Sequence, residues 1–484
     1  MSKILFISSE AFPLIKTGGL GDVAGSLPTA LLKQSQNVRL LLPAYPEVLY
    51  KIKEKKIRAS TSFYNQPVDI VETRLPGTQL RVWLVDCPSV YHRPGGPYID
   101  ERGHPWHDNA LRFAIFCHTA VAIAMNQFKL KWQPDVVHCN DWQTGLVPAL
   151  LSLQKKRPAT VFTIHNLAYQ GLFDQQTFDD LQLPEQLWHM DGLEFHNQLS
   201  FIKGGLAYAD RITTVSPTYA EEICQPEMGY GLDGLLSYRK QKLSGILNGV
   251  NEKYWNPGTD FHLVQKYNQK SLNKKSLNKT ALQEEFLFDV DASIPMIGMV
   301  SRLVEQKGLD IILQALPRLL SMPLQLVILG TGDLHFEMLL SEIAQHYPDR
   351  FKVVIGYNEL LAHKIEAASD IYLMPSTFEP CGLNQLYSLR YGTLPIVTPV
   401  GGLADTVINA SDKNIKNKSA NGFVLKEHSL TALLNSIHHA LELYAQADTW
   451  RQLQVNAMNC DHSWGKSAHQ YIKLYQQAIT ETQA

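Results

Sequence analysis

Residues 16–23, KTGGLGDV, place Lys16 and the glycines Gly18, Gly19 and Gly21 between a run that reads as a strand, KILFIS, and one that reads as a helix, VAGSLPTALLKQ. Glycines at such a turn let the backbone approach a ligand closely, and the helix start offers amide donors to an anion. Lys16 adds a mobile positive charge, and Asp22 lies in the same motif. The spacing matches neither the dinucleotide GxGxxG pattern nor the P-loop, so the chemistry on offer is contact with phosphate or sugar. A tight turn alone would account for GGLG. The lysine directly ahead of it tilts the reading toward a ligand.

A second basic feature is SRLVEQKGLD (301–310), in which Arg302 and Lys307 bracket a loop between a strand-like and a helix-like run. Exposed basic residues are usually only solvated, but a pair that follows a buried strand can meet a diphosphate from two directions, arginine as a fork and lysine as a point charge. Breaking a C–O bond to a diphosphate builds negative charge there, so fixed cations favour the transition state over the ground state. Glu379 opens EPCG, between the strand-like DIYLMPS and a helix beginning at Leu383. A carboxylate there can bond sugar hydroxyls while the N–H groups of Cys381, Gly382 and Leu383 face a phosphate. The plainer alternative is an acid that complements the helix dipole.

Two further strand-like runs finish in polar side chains. DVVHCND ends in Asp141, with Trp142 next, and ATVFTIHN ends in His165 and Asn166. Convergence of such ends makes a crevice. Trp142 is either a stacking face for a sugar or a core ring. No His/Asp/Glu grouping has the spacing of a magnesium or zinc site, so His138 near Asp141 reads as a polar residue of a strand end.

These groups need elements to carry them. Short strands rich in β-branched residues alternate with longer helical patterns from the first residue, and the rhythm restarts with MIGMVSRL, LQLVILGTGD, FKVVIGYN, DIYLMPS and LPIVTP, so two α/β units are expected. A chain of 484 residues also exceeds what one core organises. The boundary is placed near residue 245, giving 1–245 and 246–460, with an amphipathic helix in 461–484 that presents Tyr471, Leu474, Tyr475 and Ile479 on one face and either caps the second unit or crosses back to the first. The duplicated SLNK at 271–274 and 276–279 reads as a solvated segment leading into a helix.

With a formal net charge of -2, no global field attracts nucleic acid or an anionic membrane, and phosphate affinity must be local. The first twelve residues are too weakly apolar for a secretory leader or a membrane span, and the six scattered cysteines form no CxxC pair, so reduced thiols in a cytoplasm are expected.

KTGGLGDV resembles the N-terminal signature of bacterial glycogen synthases and plant starch synthases, and further motifs of that family follow in order: HCNDWQTGL (138–146), TIHNLAYQG (163–171), LNGVN (247–251), SRLVEQKGLD, GYNE (356–359), PSTFEPCGLNQLYSLRYGTLP (375–395) and GGLADTV (401–407). The resemblance spans nearly the whole chain. It implies the GT-B fold, two facing Rossmann-like domains with a central cleft, the first on the acceptor side and the second binding the nucleotide sugar. It further implies transfer of glucose from ADP-glucose to the nonreducing end of an α-1,4-glucan such as glycogen, with retention of configuration and without metal or cofactor. Arg302 and Lys307 are thereby assigned to the diphosphate and Glu379 to the donor glucose; His165 is assigned to the anomeric carbon through its backbone carbonyl, and Asp141 to its neighbourhood. Lys16, Gly18, Gly19, Asp22, Asn166, Asn248, Gly356, Tyr357, Cys381, Gly382, Leu383 and Trp142 fall in substrate-contacting motifs, and Tyr98, in RPGGPYID, in an acceptor-side segment. Two positions depart from many relatives of this architecture: Tyr387 stands where a second glutamate is common, as glycogen synthases also show, and Asn384 stands where threonine is common. A glycosidase using Asp141 and Glu379, or a catalytically silent glucan-binding protein, would have no need of the full cationic set.

Overall fold

The run Ile4, Leu5, Phe6, Ile7 has no polar alternation, which suits only a strand covered on both faces. In the computed structural model, which describes residues 1–483, all four side chains are fully buried in β1 (Lys3–Ile7). The strands that follow are β2 (Asn37–Pro43), β3 (Lys56–Phe63), β4 (Gln66–Arg74), β5 (Arg81–Asp86), β6 (Val136–Asn140), β7 (Ala159–Ile164), a small antiparallel set of β8 (Leu172–Asp174), β9 (Glu194–Phe195) and β10 (Gln198–Ser200), then β11 (Arg211–Thr214) and β12 (Leu243–Gly245). The main sheet runs β12-β11-β7-β6-β1-β2-β5-β4-β3, and β1 pairs in parallel with both β2 and β6. Its order reverses between β1 and β6. In open α/β sheets that switch point, at the C-terminal strand ends, is where ligands bind.

The chain divides into Met1–Gly249 with the segment from Trp464 onward, and Val250–Ser463. The break falls four residues beyond the expected 245, and the final helix, Trp464–Gln483, belongs with the first unit. It buries Trp464, Ala468, Tyr471, Leu474, Tyr475 and Ala478, while Ile479, expected on that face, is only half-buried. The Tyr475 hydroxyl lies 2.7 Å from Nδ1 of fully buried His138, whose Nε2 is 2.6 Å from the Thr163 hydroxyl. Burial pushes the His138 imidazole down to about 3, so it is a neutral link between helix and sheet.

In the second unit β13 (Met296–Val300), β14 (Gln325–Gly330), β15 (Phe351–Ile355), β16 (Ile371–Met374), β17 (Leu394–Val397) and β18 (Phe423–Val424) form an all-parallel sheet in the order β15-β14-β13-β16-β17-β18. Its switch point lies between β13 and β16. The core joins Ile297, Met299, Ile328 and Leu373 of the strands to Leu309, Ile312 and Leu316 of the helix Leu309–Leu319.

The SLNK repeat leads into a helix as expected but is solvated only in part: Asn273, Lys274, Ser276 and Leu277 are exposed, whereas two lysines turn inward. Lys275 and Lys279 are 5% and 2% exposed, one helical turn apart on the inner face of the helix Lys275–Phe286. Lys275 Nζ donates to the carbonyl of Ala367 (2.8 Å) and to the Thr393 hydroxyl (2.8 Å), and Lys279 pairs with Asp370 at 2.7 Å. Carbonyls left over at the end of the helix Glu359–Ala368 thus take a buried ammonium. Burial lowers the Lys275 ammonium to about 7. Among the described residues no helix is long and apolar enough to cross a membrane.

Candidate functional site

The loop after β1 delivers the glycine motif. Gly18 is the N-cap of the helix Gly19–Lys33 in ordinary extended backbone, and a Cβ added there would meet nothing within 4 Å. Neither packing nor backbone geometry therefore demands glycine at 18, which favours the ligand reading over the tight turn. Gly21 is different, because its Cβ would come 3.1 Å from that of Lys16. Exposed Lys16 pairs with Asp22 at 2.8 Å.

Not all the loop amides face outward. Glu10, 2% exposed and overlooked by sequence reasoning, accepts from the Thr17 N–H at 2.5 Å, the Thr17 hydroxyl at 2.6 Å, the Gly18 N–H at 3.3 Å and the Tyr98 hydroxyl at 2.5 Å. The expectation of an amide cradle for an anion is corrected at Thr17 and Gly18. Their donors are spent on an internal carboxylate. The only warning in the sequence was an acid directly after an apolar strand.

At the neighbouring strand ends, Asp141 takes φ +56 and ψ −178, a region nearly reserved for glycine that costs of order 1–3 kcal/mol. The Asp141 N–H bonded to Thr163 (2.9 Å) and the Oδ1 accepting the His165 N–H (2.7 Å) hold it there. Burial pushes the Asp141 carboxyl up to about 7; the His165 and Asn166 backbone donors oppose this, and Glu10 nearby adds to it. Desolvation likewise drops His165 to about 3, leaving a neutral imidazole whose Nε2 lies 2.9 Å from Asn140 Oδ1. Asn140 Nδ2 donates to the Ile7 carbonyl, so its oxygen faces His165, and Nε2 carries the proton. Asn166 Oδ1 accepts from the Ala168 N–H at 3.0 Å and shapes the turn.

Trp142 is half-buried and packs against other rings on part of its surface. Phe113, Phe173 and Phe201 surround it at 5.0, 6.0 and 6.2 Å, and the backbone of Gly171 lies so close that a Cβ would be 2.3 Å from the indole. Tyr98 stands beside the glycine loop through Glu10. Asn248 is 6% exposed, and its side-chain oxygen, sealed from solvent, has no hydrogen-bond partner among the described residues.

The second unit gathers its candidates where β13 and β16 end. Gly308, at φ +73, sits so near Pro375 that a Cβ would be 2.1 Å from its carbonyl oxygen, and only glycine satisfies both constraints. Through that contact the 302–308 loop zips onto the 375–379 loop: the Thr377 N–H donates to Gln306 O (3.0 Å) and Gln306 Nε2 to Phe378 O (2.8 Å). Lys307 then forms an ion pair with Glu379, whose Oε2 also accepts from the Ser376 hydroxyl at 3.2 Å. Exposed Arg302 donates to the neutral Gln306 side chain at 3.2 Å.

Gly401, at φ +42, and Gly402 press on the EPCG loop; their added Cβ atoms would be 2.0 Å from Glu379 O and 2.1 Å from Cys381 O. Sequence reading quoted GGLADTV but gave these glycines no role. Buried Cys381, Gly382 at φ +70 and Leu383 lead into the helix Asn384–Tyr391. Asn384 donates to the Val300 carbonyl (2.5 Å) and the Tyr372 hydroxyl (2.9 Å), so its amide binds the strand and not a ligand. Tyr387 stacks on Trp255 at 4.0 Å and 7°, a buried packing role that a glutamate could not fill. Gly356, at φ +135, and Tyr357, 77% exposed, follow β15, two strands and about 10 Å along the same edge from β13. Among the described residues no three His, Cys, Asp or Glu side chains converge as a metal site.

The family described as starch synthase catalytic domain matches residues 3–238, and that described as glycosyl transferases group 1 matches 286–454. The chain is similar to the glycogen synthase of Cellvibrio japonicus, 56% identical over 477 residues that cover 98% of this chain and 99% of that one. It belongs to the glycogen synthase family. Glycogen synthase 1 of Methylococcus capsulatus is 52% identical over 99% of this chain and 97% of its own length. Among solved structures, the catalytic domain of starch synthase IV from Arabidopsis thaliana, bound to ADP and acarbose, superposes with a TM-score of 0.90 at 31% identity over 99% of both chains. Sucrose-phosphate synthase from Thermosynechococcus elongatus shares the fold, with a TM-score of 0.62 at 18% identity over 99% of this chain and 100% of that one. The two α/β units are thus those of the GT-B fold, and this member of the glycogen synthase family is a glycosyltransferase.

Proposed function

We propose that the chain transfers glucose from ADP-glucose to the nonreducing-end 4-hydroxyl of an α-1,4-glucan such as glycogen, with retention of configuration and release of ADP, in the cytoplasm and without a metal or cofactor. The observation that carries this reading is the zipped pair of loops that pairs Lys307 with Glu379 and ties Arg302 to Gln306 at a switch point. The second unit's part is to neutralise the departing diphosphate with Arg302 and Lys307 and to hold donor hydroxyls with Glu379, while Cys381, Gly382, Leu383, Gly356 and Tyr357 line the nucleotide end. Without a metal, leaving-group charge must be met by such side chains. The first unit's part is played by the His165 carbonyl against a cation-like anomeric carbon, by Asp141, Asn166, Asn248 and the Gly18–Gly19 turn around the sugar, and by the charge of Lys16, set by Asp22. The acceptor hydroxyl attacks on the face the diphosphate leaves, and a donor phosphate oxygen takes its proton.

Nucleotide release measured with ADP-glucose and with UDP-glucose, each with and without glycogen, tests the reading. ADP release that depends on glycogen and lengthens it is expected. Glycogen hydrolysis without nucleotide would replace the transferase with a hydrolase, and glucan binding with no nucleotide release would leave only a binding protein.

A further inference from the structure

Glu10 is an acid with no outlet to solvent, placed between two segments of the first unit that the proposed reaction uses. Its backbone is pinned by Ser8, whose hydroxyl donates to the Glu10 carbonyl at 2.7 Å. Each carboxylate oxygen faces a different set of donors. Oε2 takes the amides of Thr17 and Gly18 at 2.5 and 3.3 Å; Oε1 takes the hydroxyls of Thr17 and Tyr98 at 2.6 and 2.5 Å. Because Tyr98 gives its only proton to Glu10, the Ser9 hydroxyl 2.7 Å away must donate to the Tyr98 oxygen, which fixes the direction of the whole chain of bonds.

The segment carrying Tyr98 is rigid on its other side as well. Asn109 Nδ2 donates to the Tyr98 carbonyl at 2.9 Å, and Arg112, 1% exposed, donates to Pro97 O and Asn109 Oδ1, both at 2.8 Å. The glycine loop and the 93–100 loop are therefore joined through one carboxylate. Charge-assisted bonds of this kind are the stronger class, and a misplacement of about 1 Å in a substrate-holding group costs roughly 10²-fold in rate.

We propose that Glu10 is a positioning residue of the transfer reaction, locking the Lys16–Gly18 turn and the Tyr98 hydroxyl into one rigid unit while contacting no substrate itself. This rests on the transferase reading above. Glutamine at position 10 would keep the shape but turn an NH₂ group toward donors on one side or the other, so it releases either the turn or Tyr98.

The test is a double-mutant cycle read in kcat and KM for ADP-glucose. Glu10→Gln is expected to lower kcat by roughly tenfold to a hundredfold at a nearly unchanged melting temperature. Adding Tyr98→Phe to it should cost less than Tyr98→Phe costs alone, since both changes remove the same Glu10–Tyr98 bond. Wild-type kcat in Glu10→Gln, or losses from the two changes that simply multiply, would overturn the proposal. Should Glu10→Gln fail to fold, the cycle between Thr17→Val and Tyr98→Phe, which remove donors from opposite sides of the carboxylate, decides in the same way. If the wild-type protein releases no ADP, it is the transferase reading that fails. The coupling is then judged by hydrogen exchange, with faster exchange of 16–22 or of 93–100 expected in Glu10→Gln and unchanged exchange of both overturning it.

Discussion

At the first unit's switch point the acid is buried and its partners are neutral: Asp141 lies out of solvent against an uncharged His165, in a backbone conformation held by two hydrogen bonds. At the second unit's switch point an exposed Arg302 and a half-buried Lys307, paired with Glu379, sit on a loop clamped from both sides by glycines, Gly308 beneath Lys307 and Gly401 behind Glu379. The same topological device therefore carries two kinds of chemistry. A dry, weakly charged crevice suits a sugar and a transient positive charge at carbon, whereas an exposed Arg302 beside a paired Lys307 suits a diphosphate that must enter and leave.

The largest effect should come from the cationic side. Lys307→Ala is expected to lower kcat for glycogen-dependent ADP release by about 10²- to 10³-fold with the fold retained, as a transition-state charge partner would; turnover near that of the wild type would remove Lys307 from the reaction. On the neutral side, the raised Asp141 pKa means that the folded protein holds a proton the unfolded chain has released between about pH 4 and pH 7. Stability is therefore lost as pH rises through that window, by at most about 4 kcal/mol for a shift of this size. Asp141→Asn should flatten the dependence in chemical unfolding at pH 5 and pH 8, and an unchanged slope would place the cost elsewhere.

Gly308→Ala tests the clamp. Its positive φ and the contact with Pro375 predict destabilisation of roughly 1–3 kcal/mol in thermal unfolding, together with reduced turnover as Lys307 leaves Glu379. Smallest is Tyr475→Phe, which removes one bond to His138 on the side away from Thr163 and should cost about 1 kcal/mol of stability with kcat unchanged. A fall in kcat there would extend the first crevice to the final helix.

Much of this was legible in residue order because the signals are local. Buried parallel strands read as unbroken apolar runs, and Arg302, Lys307, Glu379, Asp141 and His165 each lie in the loop that follows a strand. What escaped depends on contacts between distant segments. The stack of Tyr387 on Trp255 crosses 132 positions, and the bonds of Lys275 to Ala367 and Thr393 cross 92 and 118. Glu10 was invisible because its partner Tyr98 is 88 residues away. Lys275 and Lys279 misled because a charged stretch is normally solvated, and only distant groups draw them inward: the carbonyls at a helix end for Lys275, and Asp370 for Lys279.

The division between the two crevices is tested most directly by titrating ADP alone into Arg302→Ala and Asp141→Asn in a calorimeter. The account predicts that ADP affinity falls by about tenfold or more in Arg302→Ala, as the loss of a charged hydrogen bond to phosphate implies, and stays at the wild-type level in Asp141→Asn. Equal losses in the two variants, or a loss confined to Asp141→Asn, would contradict it.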